Sequence, residues 1–269
     1  MSLPLHRWIL NPPRVVLFWL VFLVFEVGCY AYGWPAIDIA SALSRDYRER
    51  RLRPAWNRLI ATWGRAVSGM NRAINGVRID VEGRVPEGRF IVVANHQSTA
   101  DIPVLFEVFR DKNLKFVVKK ELVRWIPAIS RALRDGGFAV IDFTGPHRTV
   151  ADLVSFARSV SAWDGTPVIY PEGRRTSDGS IAPFREAGIR ILVLESGLPV
   201  VPVVIDGLWK ARTALDFFLH LPDSRCRIRI LDPIPPTDAV AGIEQLPQRL
   251  HASMQEALGR MRATAQGER

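Results

Sequence analysis

The sequence predicts an α/β fold, a largely parallel or mixed sheet flanked by helices, preceded by an N-terminal membrane helix and an amphipathic helix. Three observations carry this expectation. From Val77 onward, strand-like runs alternate with helix-length segments, the pattern of strands joined by covering helices. Val15–Gly33 is an apolar run whose only charge is Glu26, close to the ~20 residues a helix needs to cross a bilayer. Between the two, Ala55–Ile74 repeats apolar residues at helical spacing. A chain of 269 residues has room for one substantial domain plus an attachment segment. The expected division is 1–76 for the membrane anchor, basic linker and amphipathic helix, and 77–269 for the globular domain.

The apolar run reads as a retained anchor. It is long, its flank is bulky and no small-x-small cleavage site follows directly. Arg7 and Arg14 precede it, whereas Arg45, Arg48, Arg50, Arg51 and Arg53 follow. That bias places the remainder of the chain on the cytoplasmic side of the cytoplasmic (inner) membrane. In the next segment Trp56, Leu59, Ile60, Trp63, Val67, Met70 and Ile74 form one stripe, and Arg58, Arg65 and Arg72 recur on another side. Two uses fit this helix: lying in the headgroup layer with arginines on lipid phosphates, or packing its stripe on the domain with the arginines solvated.

In the globular part the expected strands are Val77–Glu82, Phe90–Ala94, Lys115–Val118, Phe138–Asp142, Pro167–Tyr170, Val200–Ile205 and Cys226–Leu231. The expected helices are Asp101–Arg110, Glu121–Arg134, Arg148–Trp163, Phe184–Ser196 and Gly242–Ala263. Apolar residues at 48% and charged residues at 23% argue against extensive disorder. The net charge of +9 suits nucleic acid, an anionic membrane surface or an acidic substrate. The apolar segments favour the membrane, and no aromatic and basic interleaving supports a nucleic-acid platform. Cys29 and Cys226 provide neither a metal-ligand spacing nor a disulfide framework.

Two motifs carry chemistry. Asn95-His96-Gln97-Ser98-Thr99-Ala100-Asp101 follows an expected strand. Positions five apart do not share a face of a helix, so His96 and Asp101 meet only through a turn. Pro103 suits the first turn of the helix that follows. Such a turn lets the carboxylate accept from one imidazole nitrogen and leave the other as a base. The plainer alternative is a helix-capping Asp101 beside an ordinary loop histidine. Ser98 and Thr99 raise a hydrolase-triad alternative, but neither lies in a G-x-S-x-G elbow. The second motif, Pro171-Glu172-Gly173-Arg174-Arg175-Thr176, sets guanidinium and hydroxyl donors beside a glycine, suited to a phosphate. Its alternative is a charged turn with Glu172 paired to an arginine.

Together, N-H-x-x-x-x-D, then P-E-G-x-R-[ST], then Val201-Pro202-Val203-Val204 resemble the glycerolipid acyltransferase family that includes the 1-acylglycerol-3-phosphate acyltransferases, over residues 77–210. The resemblance implies His96 as general base and Asp101 as its partner. It implies Glu172, Gly173, Arg175 and Thr176 as the second catalytic and binding block, with Arg174 standing where the family usually has threonine, and Pro202 on the acyl-donor side. In the family's intermediate motif only Lys120 is kept, the best register giving Val123, Ser130 and Phe143 elsewhere; Lys120 joins Arg175 as an expected phosphate contact. The activity implied is acyl transfer from acyl-CoA or acyl carrier protein to the hydroxyl of a lysophospholipid, first 1-acylglycerol-3-phosphate, at an anionic membrane, with no cofactor and no metal. Another lysolipid such as lyso-ornithine lipid, a lipid hydrolase and an inactive membrane scaffold are the alternatives.

Overall fold

The computed structural model describes residues 5–121, 123, 127–142, 145–162, 164–211 and 214–267. Phe143, Trp163 and part of the expected helix Glu121–Arg134 lie outside the described residues. The strands are β1 Arg78–Glu82, β2 Ile91–Ala94, β3 Leu114–Lys119, β4 Ala139–Ile141, β5 Thr166–Ile169, β6 Val200–Asp206 and β7 Arg225–Ile230. They form one sheet in the order β1-β7-β6-β2-β5-β3-β4. Every neighbouring pair is parallel except β6 and β7, which run antiparallel. The central strands are apolar without alternation because both faces are covered: Ile91, Val92, Val93 and Ala94 have no solvent exposure.

The helices are α1 Leu5–Gly28, α2 Trp34–Leu43, α3 Leu52–Asn75, α4 Asp101–Val108, α5 Pro127–Asp135, α6 Pro146–Ala162, α7 Glu186–Ser196, α8 Ala214–His220, α9 Pro236–Ala241 and α10 Leu246–Gly267. The sequence reading placed neither α8 nor α9, whose short lengths give little periodicity to detect. Helices α3, α4 and α5 cover one sheet face over Val92, Phe116 and Val203. On the other face α6, α7, α9 and α10 cover Ile91, Val93 and Val204. The alternation of β2 between these two cores is the period-2 consequence of an extended strand.

The N-terminal segment is a near-continuous helix. Between α1 and α2 it passes through a π-helical turn, Cys29–Gly33, where Gly28, Gly33 and Pro35 weaken the regular ladder. Residues Asn11–Leu43 are long and apolar enough to cross a membrane. Helix α1 nonetheless lies against the body of the protein. Arg14 Nε donates to the Ile74 carbonyl at 3.0 Å and its Nη1 to Asp223 at 2.8 Å. Glu26, the one charge in the apolar run, turns inward and accepts from the Trp63 indole. The outward side leaves Leu20 and Val24 58% and 73% exposed, a contiguous apolar face.

Helix α3 shows how its stripe is used. Trp56, Ile60, Trp63 and Val67 are buried in the core beneath it. Gly64 permits close packing, since the Phe106 ring of α4 occupies the place a β-carbon would take. Arg72 stays outward and pairs with Glu107. The helix ends at Gly76, whose φ of 66° closes it in a left-handed cap.

Candidate active site

The site lies beyond the carboxyl end of β2, where the chain leaves the sheet before entering α4. Parallel α/β sheets place ligand-binding loops at such ends because strand and helix termini open there. Asn95, fully buried, anchors the turn. Its amide donates to the Ile205 carbonyl at 2.9 Å and accepts from the Ile205 N–H at 2.7 Å, bridging β2 to β6.

Five residues after His96, the Asp101 carboxylate folds back over the turn. Its Oδ2 lies 2.9 Å from His96 Nδ1 and accepts the backbone N–H groups of Gln97 and Ser98 at 2.6 and 2.8 Å. Asp101 has no exposed surface. Asp101 caps no helix N–H: it is the first residue of α4, and its carboxylate orients the histidine while accepting N–H groups of the turn before the helix. With Nδ1–H donating to the carboxylate, the lone pair of His96 resides on Nε2. The imidazole is also stacked on the Tyr170 ring, 4.1 Å between centroids and 15° between planes. Burial, and then the charge of Asp101, pushes the Tyr170 phenol well above its ordinary pKa, so the ring is a neutral platform. Ser98 is committed elsewhere: its hydroxyl donates to the Ala211 carbonyl at 2.6 Å.

The second motif locks onto the first. Glu172 accepts the His96 N–H at 2.8 Å and the Ala182 N–H at 2.9 Å. Burial raises its pKa, opposed by those two donors. Glu172 therefore spans the two loops, a use different from the arginine pairing considered above. Thr176 returns a backbone N–H to the His96 carbonyl at 2.9 Å, while its hydroxyl donates to Asp178 at 2.9 Å. Gly173, at φ 67°, lets Arg185 lie against the backbone where a side chain would stand. Arg174 is exposed. Arg175 follows it on the same loop, half-buried.

The remaining expected residues have other neighbours. Lys120 follows β3 and its ammonium faces Asp142 at 3.4 Å. Pro202 is buried in β6 in register with Val93, a core position on a strand with a neighbour on each side. Tyr170, Gln97, Asp206 and Arg185 were not proposed from sequence. Of these, only Tyr170 and Gln97 had a sequence signal, their adjacency to a motif; the others arrive through tertiary contacts.

Beside the histidine loop opens a cavity of about 810 Å³, lined almost wholly by apolar side chains. Thr99 and Ala100 form its wall next to the site, and Phe22, Trp63, Phe106 and Val118 continue it between α1, α3, α4 and the sheet. Such a chamber suits an aliphatic chain. A carboxylate-oriented imidazole, on a loop bonded through its backbone to the arginine-bearing loop and continuous with the wall of an apolar chamber, is equipped to act as a base.

Residues 77–206 match the family described as Acyltransferase. The chain is similar to the 1-acyl-sn-glycerol-3-phosphate acyltransferase alpha of Bos taurus, 27% identical over 59% of this chain and 55% of that protein. It is also similar to the 1-acyl-sn-glycerol-3-phosphate acyltransferase of Cocos nucifera, 30% identical over 48% of this chain and 41% of that protein. The chain thus spans about half the length of the curated relatives it matches. The crystal structure of the 1-acyl-sn-glycerophosphate acyltransferase from Thermotoga maritima shares the fold, with TM-score 0.69, 23% identity and coverage of 96% of this chain and 98% of that one.

Proposed function

We propose that this protein is a membrane-attached O-acyltransferase that moves a fatty acyl group from an acyl thioester, acyl-CoA or acyl carrier protein, to the free hydroxyl of a lysophospholipid, 1-acylglycerol-3-phosphate first. The observation that carries the reading is the His96–Asp101 pair at 2.9 Å, fastened through Glu172 and Thr176 to the arginine loop. His96 Nε2 takes the proton of the acceptor hydroxyl as that oxygen attacks the thioester carbonyl. The tetrahedral adduct then expels the thiolate, which takes a proton back from the imidazolium to leave as the free thiol. Asp101 holds the imidazole in the required tautomer and stabilises its charge. No acyl-enzyme, cofactor or metal takes part in this sequence. Arg175, with Lys120, holds the acceptor phosphate and so fixes its hydroxyl against the base, where positioning contributes several powers of ten. One acyl chain occupies the apolar cavity, and Pro202 of β6 lies on the acyl-donor side.

The exposed face of α1 keeps the site at a membrane whose anionic headgroups meet the basic linker, with the globular part on the cytoplasmic side of the inner membrane. The names of the relatives support lysophosphatidate as the first acceptor to try.

The test is transfer of labelled acyl groups from both donors to a panel of lysolipids, by membranes carrying wild type or His96→Ala. Acylation of lysophosphatidate that falls at least ~10²-fold in the mutant is the expected result. Labelling of lyso-ornithine lipid alone would reassign the acceptor. Release of free fatty acid without acceptor would make the protein a hydrolase, and labelling of no lipid by either donor would leave the transferase reading without support.

A further inference from the structure

We propose that Arg262, on the C-terminal helix α10, is a positioning residue that latches the anion-suited loop onto the histidine loop. Arg262 lies outside residues 77–206, where the family match ends. Its guanidinium reaches two places at once. Nη2 donates to the Gly179 carbonyl at 2.7 Å and to Asp206 Oδ1 at 2.8 Å, and Nε reaches the same Oδ1 at 3.3 Å. The first contact holds the loop that begins at Glu172. Within it, the Gly179 N–H donates to the Thr176 hydroxyl at 3.2 Å, and Thr176 bonds the His96 carbonyl. The second contact leads to the other side of the site. Asp206 is 2% exposed, and its Oδ1 lies 3.4 Å from Gln97 Nε2, the residue after His96. Gln97 in turn accepts the Leu208 N–H at 3.2 Å.

Arg262 therefore closes a ring: Arg262 to Gly179, Thr176 and His96 on one arm, Arg262 to Asp206 and Gln97 on the other. Gly179 makes the closure possible. At φ 83° it carries no side chain, and the Trp209 indole and the Arg262 guanidinium fill the space one would take. Asp206 needs such company, because a buried carboxylate is costly unless paired and hydrogen-bonded. It has a second cation in Arg227, whose Nη2 donates to Oδ2 at 2.9 Å and whose Nη1 donates to the Met261 carbonyl of α10 at 2.9 Å. Arg227 thus shares the carboxylate and the docking of α10 with Arg262. The bond to Gly179 belongs to Arg262. Resting on the acyl-transfer reading, the latch fixes the distance between the acceptor's phosphate and the base.

Arg227 supplies the control. Hydrogen exchange of the purified full chain in detergent would compare wild type with Arg262→Gln, Arg262→Lys and Arg227→Gln. Arg262→Gln is expected to speed exchange across 173–182 by about tenfold, the scale of losing a charge-assisted bond. Arg262→Lys, with one point donor in place of a fork, falls between, and it keeps the comparison open should the glutamine variant fold poorly. Arg227→Gln leaves that segment near the wild-type rate. In kinetics, Arg262→Gln raises KM for the lysolipid about tenfold with KM for the acyl donor within about twofold. Unchanged exchange at 173–182, or the same change in Arg227→Gln, overturns the latch. Faster exchange in Arg262→Gln alone, in a protein whose wild type acylates no lysolipid, upholds the latch and removes the acyl-transfer reading.

Discussion

Asp101 concentrates the chemistry of the site on one oxygen. Its Oδ2 receives the imidazole and two backbone N–H groups, so the same charge caps the turn and orients the base. Asp101→Asn removes the charge and offers an amide in place of an acceptor pair, which disturbs the tautomer and unpairs a donor at the turn. The expected loss in kcat is on the order of 10²–10⁴-fold with KM for both substrates nearly unchanged, measured by steady-state acyl transfer. A loss confined to KM would mean that Asp101 shapes the binding surface and leaves the base alone. Tyr170 supports the same imidazole by stacking, a contact set by β5 ending beside β2.

At the scale of elements, the cavity lies between α1, α3, α4 and the sheet. Their large side chains, Phe22 and Trp63 among them, line a cavity of about 810 Å³. Ile60→Phe, on the wall contributed by α3, takes up part of that space. The expected outcome is a shift of preference toward shorter acyl chains, about tenfold against the longest chain the wild type accepts, with little loss of stability. Running the chain-length series once on the donor and once on the lysolipid tells which substrate's chain enters the cavity. No shift in either series would place both chains elsewhere.

Across the whole molecule, a buried lysine ties the N-terminal helices to the sheet. Lys115 is 3% exposed at the start of β3, where its ammonium donates to Asn57 of α3 and to the Gly136 carbonyl at 2.7 Å and lies 4.6 Å from the Phe138 ring centroid. Burial, and then repulsion from Arg53, lowers its pKa from 10.5 to about 7. Unfolding restores the ordinary value. Between about 7 and 10.5 the unfolded chain therefore holds a proton that the folded chain has released, and stability rises with pH across that window. The slope contributed reaches at most ~1.4 kcal/mol per pH unit. Thermal unfolding in detergent from neutral to alkaline pH should show this rise in wild type and a flatter profile in Lys115→Met. An equal slope in both would assign the pH dependence to other groups.

The amino-acid sequence by itself determined the strands and most of the long helices, because their periodicity and turn residues are local properties. Expected Val200–Ile205 and observed Val200–Asp206 differ by one residue. The five-residue spacing of His96 and Asp101 allowed their meeting through a turn and left a helix-capping alternative beside it, and the folded chain brings the two together. What only the tertiary structure decided depends on residues far apart in the chain. The order of the strands, with β6 between β2 and β7, is set by which faces bury together, and no single segment carries that information. The inward turn of Glu26 onto Trp63, the apolar cavity, and the junction of Arg262 with Gly179 and Asp206 each join segments dozens of residues apart. Local propensity acts within a turn or two of helix, whereas burial and hydrogen-bond satisfaction act in space, so the partners of a buried charge become visible only once the chain has folded around it.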